Sequence, residues 1–200
     1  MTLDQYRSVA NRLLEPFVGA ADRLGLSPDG VSVVAFGFAL AAGVAFYLGG
    51  TMWYALGGLF VFLNGWLDLV DGALARAQGI ASEGGDLLDH VLDRYADIAM
   101  LVGLAAGIDA YGLGLAAVTG VLMTSYLGTQ IQAVGLGRAY GGLVGRADRL
   151  ALIGLFAFVA AAAPRPVFGL SPVGWLLALF AVIGHFTALQ RFWGAWSDLS

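Results

Sequence analysis

The sequence predicts an all-α integral membrane protein, with six transmembrane helices preceded by an amphipathic juxtamembrane helix. Two observations carry this. Of its 200 residues, 59% are hydrophobic and only 12% charged, whereas soluble domains carry about 25% charged residues. Apolar runs also recur near the length that spans a bilayer as a helix, about 20 residues. They lie at 31–48, 52–75, 86–108, 111–135, 147–163 and 173–190. The chain reads as one membrane domain over 1–200, with an interfacial segment at 1–27 and the spanning region at 31–190.

The interfacial segment comes first. Leu3, Tyr6, Val9, Leu13, Phe17 and Ala21 recur at three-to-four spacing, the pattern of a helix lying on a membrane surface. This polar start does not read as a cleavable leader. Gly49-Gly50 closes the first span, Asp109 and Gly112 mark the turn after the third, and Pro164, Pro166 and Pro172 flank the loop before the sixth. Six spans put both termini on one side. That side holds Arg7, Arg12, Arg23, Arg76, Arg138, Arg146, Arg149 and Arg191, while the opposite loops hold Arg165. Positive residues stay inside, so the termini are expected in the cytoplasm of a multi-pass cell-membrane protein. Trp53 and Trp175 then fall at the outer interface, and Trp193 and Trp196 at the inner one.

The polar residues that remain carry the chemistry. With no cysteine, disulfides and thiolate metal sites are excluded. A net charge of -4 offers no basic footprint for nucleic acid. Six of the aspartates fall between residues 68 and 97. Asp68 and Asp71 sit near the end of the second span, with Asn64 one turn before them. Asp86, Asp89, Asp93 and Asp97 recur along the start of the third, and helical spacing puts these four on one stripe. Intramembrane aspartate is costly and marks function by default. So many like charges in a low dielectric require protonation or bound cations. Carboxylates suit Mg²⁺ or Mn²⁺, and two such helices have room for two ions facing a diphosphate. His90, beside the stripe, and His185, in the sixth span, read as satisfied histidines rather than ligands.

Residues 68–93, DLVDGALARAQGIASEGGDLLDHVLD, resemble the signature of the CDP-alcohol phosphotransferase family, D-x-x-D-G-x-x-A-R-x8-G-x3-D-x3-D. Asp68, Asp71, Gly72, Ala75, Arg76, Gly85, Asp89 and Asp93 all match it. The resemblance implies transfer of a substituted phosphate from a CDP-linked lipid, CDP-diacylglycerol or CDP-archaeol, to a polar alcohol, releasing CMP in phospholipid biosynthesis. It implies Asp68, Asp71, Asp89 and Asp93 as ligands of two Mg²⁺ or Mn²⁺ ions, with Asp93 also the general base. It implies nucleotide contacts from Asp68, Gly72, Ala75 and Arg76, Gly85 as the opening of a turn into the third span, and a homodimer. Ser27-Pro28-Asp29-Gly30-Val31-Ser32 resembles the family's T-P-N-x-V-T stretch. This adds Pro28 and Ser32 as nucleotide candidates, with helix capping as an equal reading. Asp86 and Asp97, outside the signature, are expected to support or to be solvated rather than to ligate.

The acceptor is read from the later spans. Gly145-Arg146-Ala147-Asp148-Arg149-Leu150 resembles the E-R-x-E-R-L region of members that use inositol phosphate or glycerol phosphate. Arg146 and Arg149, and Arg138 upstream, are the candidates for an anionic acceptor; an anchor for lipid headgroups is the alternative. Ser125-Tyr126-Leu127-Gly128-Thr129 resembles the S-Y-x-R-A stretch of inositol-phosphate enzymes, but Gly128 replaces the arginine. That departure argues against an inositol-phosphate acceptor. Thr124, Ser125, Thr129, Gln130 and Gln132 either line an acceptor pocket or bond between helices. A cation or proton transporter using the same aspartates is the competing class.

Overall fold

The computed structural model describes residues 7–137 and 144–200, with side chains from residue 13 onward. They form seven helices: α1 (Arg7–Arg23), α2 (Pro28–Leu48), α3 (Gly50–Gln78), α4 (Glu83–Gly107), α5 (Tyr111–Ala133), α6 (Arg146–Ala162) and α7 (Pro172–Leu199). No strand is present among the described residues; one isolated bridge joins Val167 and Leu170 in the loop before α7.

Short polar residues start these helices. Ser27, Ser82 and Ser171 each accept the backbone N–H three residues on, from Gly30, Gly85 and Gly174, at 3.1 Å. Those bonds satisfy amides that a helix start leaves open. Pro28 and Pro172 follow as first helical residues, where a missing N–H costs nothing. At the start of α6 the Asp148 carboxylate accepts the Gly145 N–H at 2.9 Å. The chain leaves α3 at Gly79, in the left-handed conformation with φ 66°, which glycine adopts without a Cβ clash. The turn expected at Gly85 is therefore made at Gly79. Gly85 lies inside the first turn of α4, capped by Ser82.

Small residues set how the helices pack. α2 lies against α3 and α4, α5 against α7 and α4, and α6 against α3 and α7. Where α2 crosses α4, a Cβ on Gly103 would collide with the Gly43 carbonyl. Where α5 crosses α7, a Cβ on Gly184 would sit 2.6 Å from the Gly120 carbonyl carbon. Such close approach is how helices associate in lipid, where no hydrophobic drive separates one apolar surface from another. Phe46, Met100, Leu104, Leu176 and Leu177 fill the middle of the bundle.

α1 packs on α3 through Leu14 and Ala21, which meet Val70 and Leu74. Leu13, counted with the same stripe in the sequence, is left largely uncovered, and half-exposed Phe17 meets Trp66 of α3 edge-on. The inward face is set by Leu14, Val18 and Ala21, one position round the helix, because α3 presents its groove there. Leu3 and Tyr6 lie outside the described residues.

Four helices, α2, α3, α5 and α7, are long and apolar enough to cross a membrane. The six-span expectation meets that standard in these four. α4 departs because it carries Asp86, Asp89, Asp93, Arg94 and Asp97. α6 departs because its 17 residues reach about 26 Å, short of a hydrocarbon core of about 30 Å.

Candidate active site

The signature aspartates meet where the end of α3 faces the start of α4. Asp68 and Asp71 are one turn apart on α3, and Asp89 and Asp93 one turn apart on α4. One carboxylate oxygen from each of Asp68, Asp71 and Asp89 lies within 4.8 Å of the others. Three hard oxygen donors so close, in a wall of protein, match what Mg²⁺ or Mn²⁺ requires. Asp71 is buried and its carboxylate accepts the Ser32 hydroxyl at 2.6 Å. The same hydroxyl lies 3.1 Å from the Pro28 carbonyl. The α2 start therefore does two things: Ser27 caps it, and Ser32 reaches across to aim Asp71. Asn64 donates to the Ala35 carbonyl at 2.9 Å, tying α2 to α3 one turn above.

Asp93 stands apart from that trio. Its carboxylate lies 2.6 Å from the Arg146 guanidinium and 3.6 Å from that of Arg94. The other arm of Arg146 reaches Asp68 at 2.6 Å. One α6 arginine thus bridges a carboxylate of each aspartate helix, the fork geometry that suits guanidinium. One turn further on, Arg149 repeats the pattern with Asp97 at 2.9 Å.

Asp68, Asp93 and the arginines open into a cavity of about 740 Å³. Asp68, His90, Asp93, Arg94, Arg146, Arg149 and Arg191 line its polar end, with Thr124, Ser125 and Thr129 from α5. Phe62, Trp66, Leu155 and Phe158 line an apolar flank between α3 and α6. Polar groups and apolar walls in one concavity suit a ligand that is part charged and part lipid.

The other candidates are placed as follows. Gly72 and Ala75 lie on α3 past Asp71, and Arg76 is exposed there. A Cβ on Gly72 would lie 3.4 Å from the Arg76 guanidinium. Arg138 lies outside the described residues. Thr124 lines the cavity and also bonds between helices, donating toward the Gly184 carbonyl at 2.8 Å. Asp86 is exposed, and its backbone carbonyl is 2.8 Å from His90 Nδ1. His185 lies away from the site, 3.3 Å from the Thr119 hydroxyl. Two residues that the sequence reading did not single out for the site are Arg94 and Arg191. Arg94 follows Asp93 directly and is a charge inside a span, a signal that was available. Arg191, which hydrogen-bonds to the Thr124 carbonyl, carries no local signal; only the packing of α7 on α5 brings it in.

A membrane-helix bundle with a hard-cation carboxylate cluster beside an arginine-lined cavity defines a class: an enzyme that handles phosphates at a lipid surface. The chain belongs to the CDP-alcohol phosphatidyltransferase family, whose model matches residues 26–190. The archaetidylinositol phosphate synthase of Methanothermobacter thermautotrophicus is 30% identical, over 98% of this chain and 95% of that protein. The phosphatidylinositol phosphate synthase of Mycobacteroides abscessus is 31% identical, over 92% of this chain and 84% of that one. Among solved structures, the Mycobacterium tuberculosis phosphatidylinositol phosphate synthase with CDP-DAG bound superposes with a TM-score of 0.78 at 27% identity, covering 92% of this chain and 94% of that one. The same enzyme in complex with manganese and citrate gives 0.79 at 26%, covering 92% and 88%. The protein is thus a multi-pass membrane transferase of substituted phosphate groups in phospholipid synthesis, dependent on Mg²⁺ or Mn²⁺.

Proposed function

We propose that the protein transfers a lipid-bearing phosphate from a CDP-linked glycerolipid to the hydroxyl of a phosphorylated polyol, releasing CMP. The observation that carries this is the cavity in which Asp68 and Asp93 meet Arg146, Arg149 and Arg191, with the carboxylate trio at its edge through Asp68 and an apolar flank for a lipid. Four of the similar relatives are inositol-phosphate lipid synthases by name, so inositol phosphate is the first acceptor to test. The missing arginine at Gly128 does not leave the cavity without cations, because Arg191 reaches it from α7. The transporter reading has no support among these relatives, which are transferases.

Asp68, Asp71 and Asp89 would hold two divalent ions, joined by Asp93. The ions, when bound, would neutralise the diphosphate and stabilise departing CMP. The small residues Gly72 and Ala75 leave room for the nucleotide beside α3, with exposed Arg76 at its phosphates. Ser32 serves Asp71 rather than the nucleotide directly. Arg146 and Arg149 draw the acceptor phosphate to the α6 side. Asp93, between that side and the carboxylate trio, takes the acceptor hydroxyl proton. The acceptor oxygen bonds to the phosphorus next to the lipid, the bond to CMP breaks, and the lipid phosphate passes to the acceptor.

A CMP-release assay with CDP-diacylglycerol and CDP-archaeol as donors tests this, with inositol phosphate, glycerol phosphate, inositol and glycerol as acceptors. Turnover should require Mg²⁺ or Mn²⁺ and one of the phosphorylated acceptors. Replacing Arg146 or Arg149 by Ala should raise the acceptor KM about tenfold or more, as expected when a charge-assisted hydrogen bond is removed, and lower kcat less. Equal rates with a neutral alcohol, untouched by both changes, would mean that these arginines bind lipid headgroups instead.

The proposed topology is a single domain with six spans, α2 to α7, in the cell membrane. α1 would lie on the inner face and both termini would be cytoplasmic; a homodimer is part of the same proposal. The arginine bias supports it, and so do Trp53, Trp175, Trp193 and Trp196, all left substantially uncovered by the chain. A Ser200→Cys variant should react with an impermeant maleimide only after the inner face is opened. Labelling from outside intact cells would reverse the orientation.

A further inference from the structure

We propose that Asp97 is a positioning residue: buried behind the cavity, it fixes the Arg149 guanidinium in its wall as a standing anchor for the acceptor phosphate. This rests on the anionic-acceptor reading above.

Two rungs join α4 to α6, Asp93 with Arg146 and, one turn on, Asp97 with Arg149. They differ in what else they must do. Arg146 shares its carboxylates with the divalent ions and the base, since it holds Asp68 and Asp93. Its place is therefore tied to theirs. Asp97 lies outside the carboxylate trio, and among the described residues it is the carboxylate in ion-pair reach of Arg149. Asp97 is 2% exposed and Arg149 6% exposed.

Burial makes this rung costly and rigid. A guanidinium taken out of water needs a charged, hydrogen-bonded partner, and Asp97 supplies it at 2.9 Å. Arg94 approaches the same carboxylate oxygen at 3.7 Å. Arg94 is shared with Asp93 at 3.6 Å, so the short bond of Asp97 is to Arg149, which lines the cavity. A side chain locked before the ligand arrives loses less freedom on binding.

The test is steady-state CMP release by the full-length protein, with inositol phosphate and glycerol phosphate as acceptors. Asp97→Asn should raise the acceptor KM about tenfold or more, the scale on which one charge-assisted hydrogen bond to the acceptor counts. The donor KM and kcat should stay within about threefold, a split that a merely structural role would not produce. Asp97→Glu should recover part of the loss. Arg149→Lys, which keeps the charge but not the fork, should raise the acceptor KM similarly. Combined with Asp97→Asn it should add little, because both changes break one unit. If Asp97→Asn does not fold, Asp97→Glu and Arg149→Lys still decide the question, since each keeps the rung charged. An Arg149→Lys effect on acceptor KM with none from either Asp97 change would overturn the positioning role alone. No effect from Arg149→Lys would remove the anionic-acceptor reading at this site, and the inference with it.

Discussion

Asp93→Asn should lower turnover by about 10²-fold or more, the usual scale for a lost general base, while CDP-donor and Mg²⁺ binding stay within about tenfold. The two halves of this result come from where Asp93 sits. Its carboxylate is outside the trio whose oxygens converge within 4.8 Å, so most of the ion's ligands survive the change. It lines the cavity beside Arg146, at 2.6 Å, so it faces the side on which the acceptor phosphate would rest. Asparagine keeps the shape and one oxygen but cannot take a proton at the hydroxyl. CMP release gives the turnover, and calorimetry with donor and Mg²⁺ gives the binding. Near-normal turnover would assign the base elsewhere and leave Asp93 as a ligand at most.

Asp71→Asn should fail earlier, at binding. Turnover should fall by about 10²-fold or more, and the metal-dependent part of donor binding should disappear with it, because the ions neutralise the diphosphate. Asp71 is buried at 6% exposure, and its orientation is held by the Ser32 hydroxyl at 2.6 Å. Ser32→Ala should therefore reproduce the loss in weaker form, about tenfold in metal affinity, as removal of a residue that orients a metal ligand does. A thermal shift on adding Mn²⁺ reads both variants: absent for Asp71→Asn, reduced for Ser32→Ala. A full Mn²⁺ shift in Asp71→Asn would take Asp71 out of the ligand set. Equal losses in both variants would mean that Ser32 is itself part of the binding site.

Much of the arrangement was legible in the linear chain. The number of helices followed from the apolar runs and the amphipathic start, and the beginning of α2 from Ser27-Pro28, because capping acts within three residues; the caps at Ser82 and Ser171 emerged only in the structure. The pairing of Asp68 with Asp71, and of Asp89 with Asp93, followed from helical spacing alone. Other details were settled by neighbours. Leu14 rather than Leu13 faces inward because α3 lies on that side, and the turn after α3 falls at Gly79 rather than Gly85. Ser32 read equally as a nucleotide contact or as part of a helix start; its reach to Asp71 depends on α2 packing along α3.

The sequence by itself determined the class of protein, the helices and the identity of the carboxylates, since composition, hydropathy and spacing along one helix are local properties. Only the tertiary structure decided which charges meet. Asp93 is joined to Asp68 by Arg146, which is distant in the chain. Asp97 is given a buried partner in Arg149, and Arg191 joins the cavity from the last helix. Such pairings depend on how closely helices approach. In this bundle the approach is set by glycines such as Gly43 against Gly103 and Gly120 against Gly184, whose meetings join distant parts of the chain and leave no periodic trace.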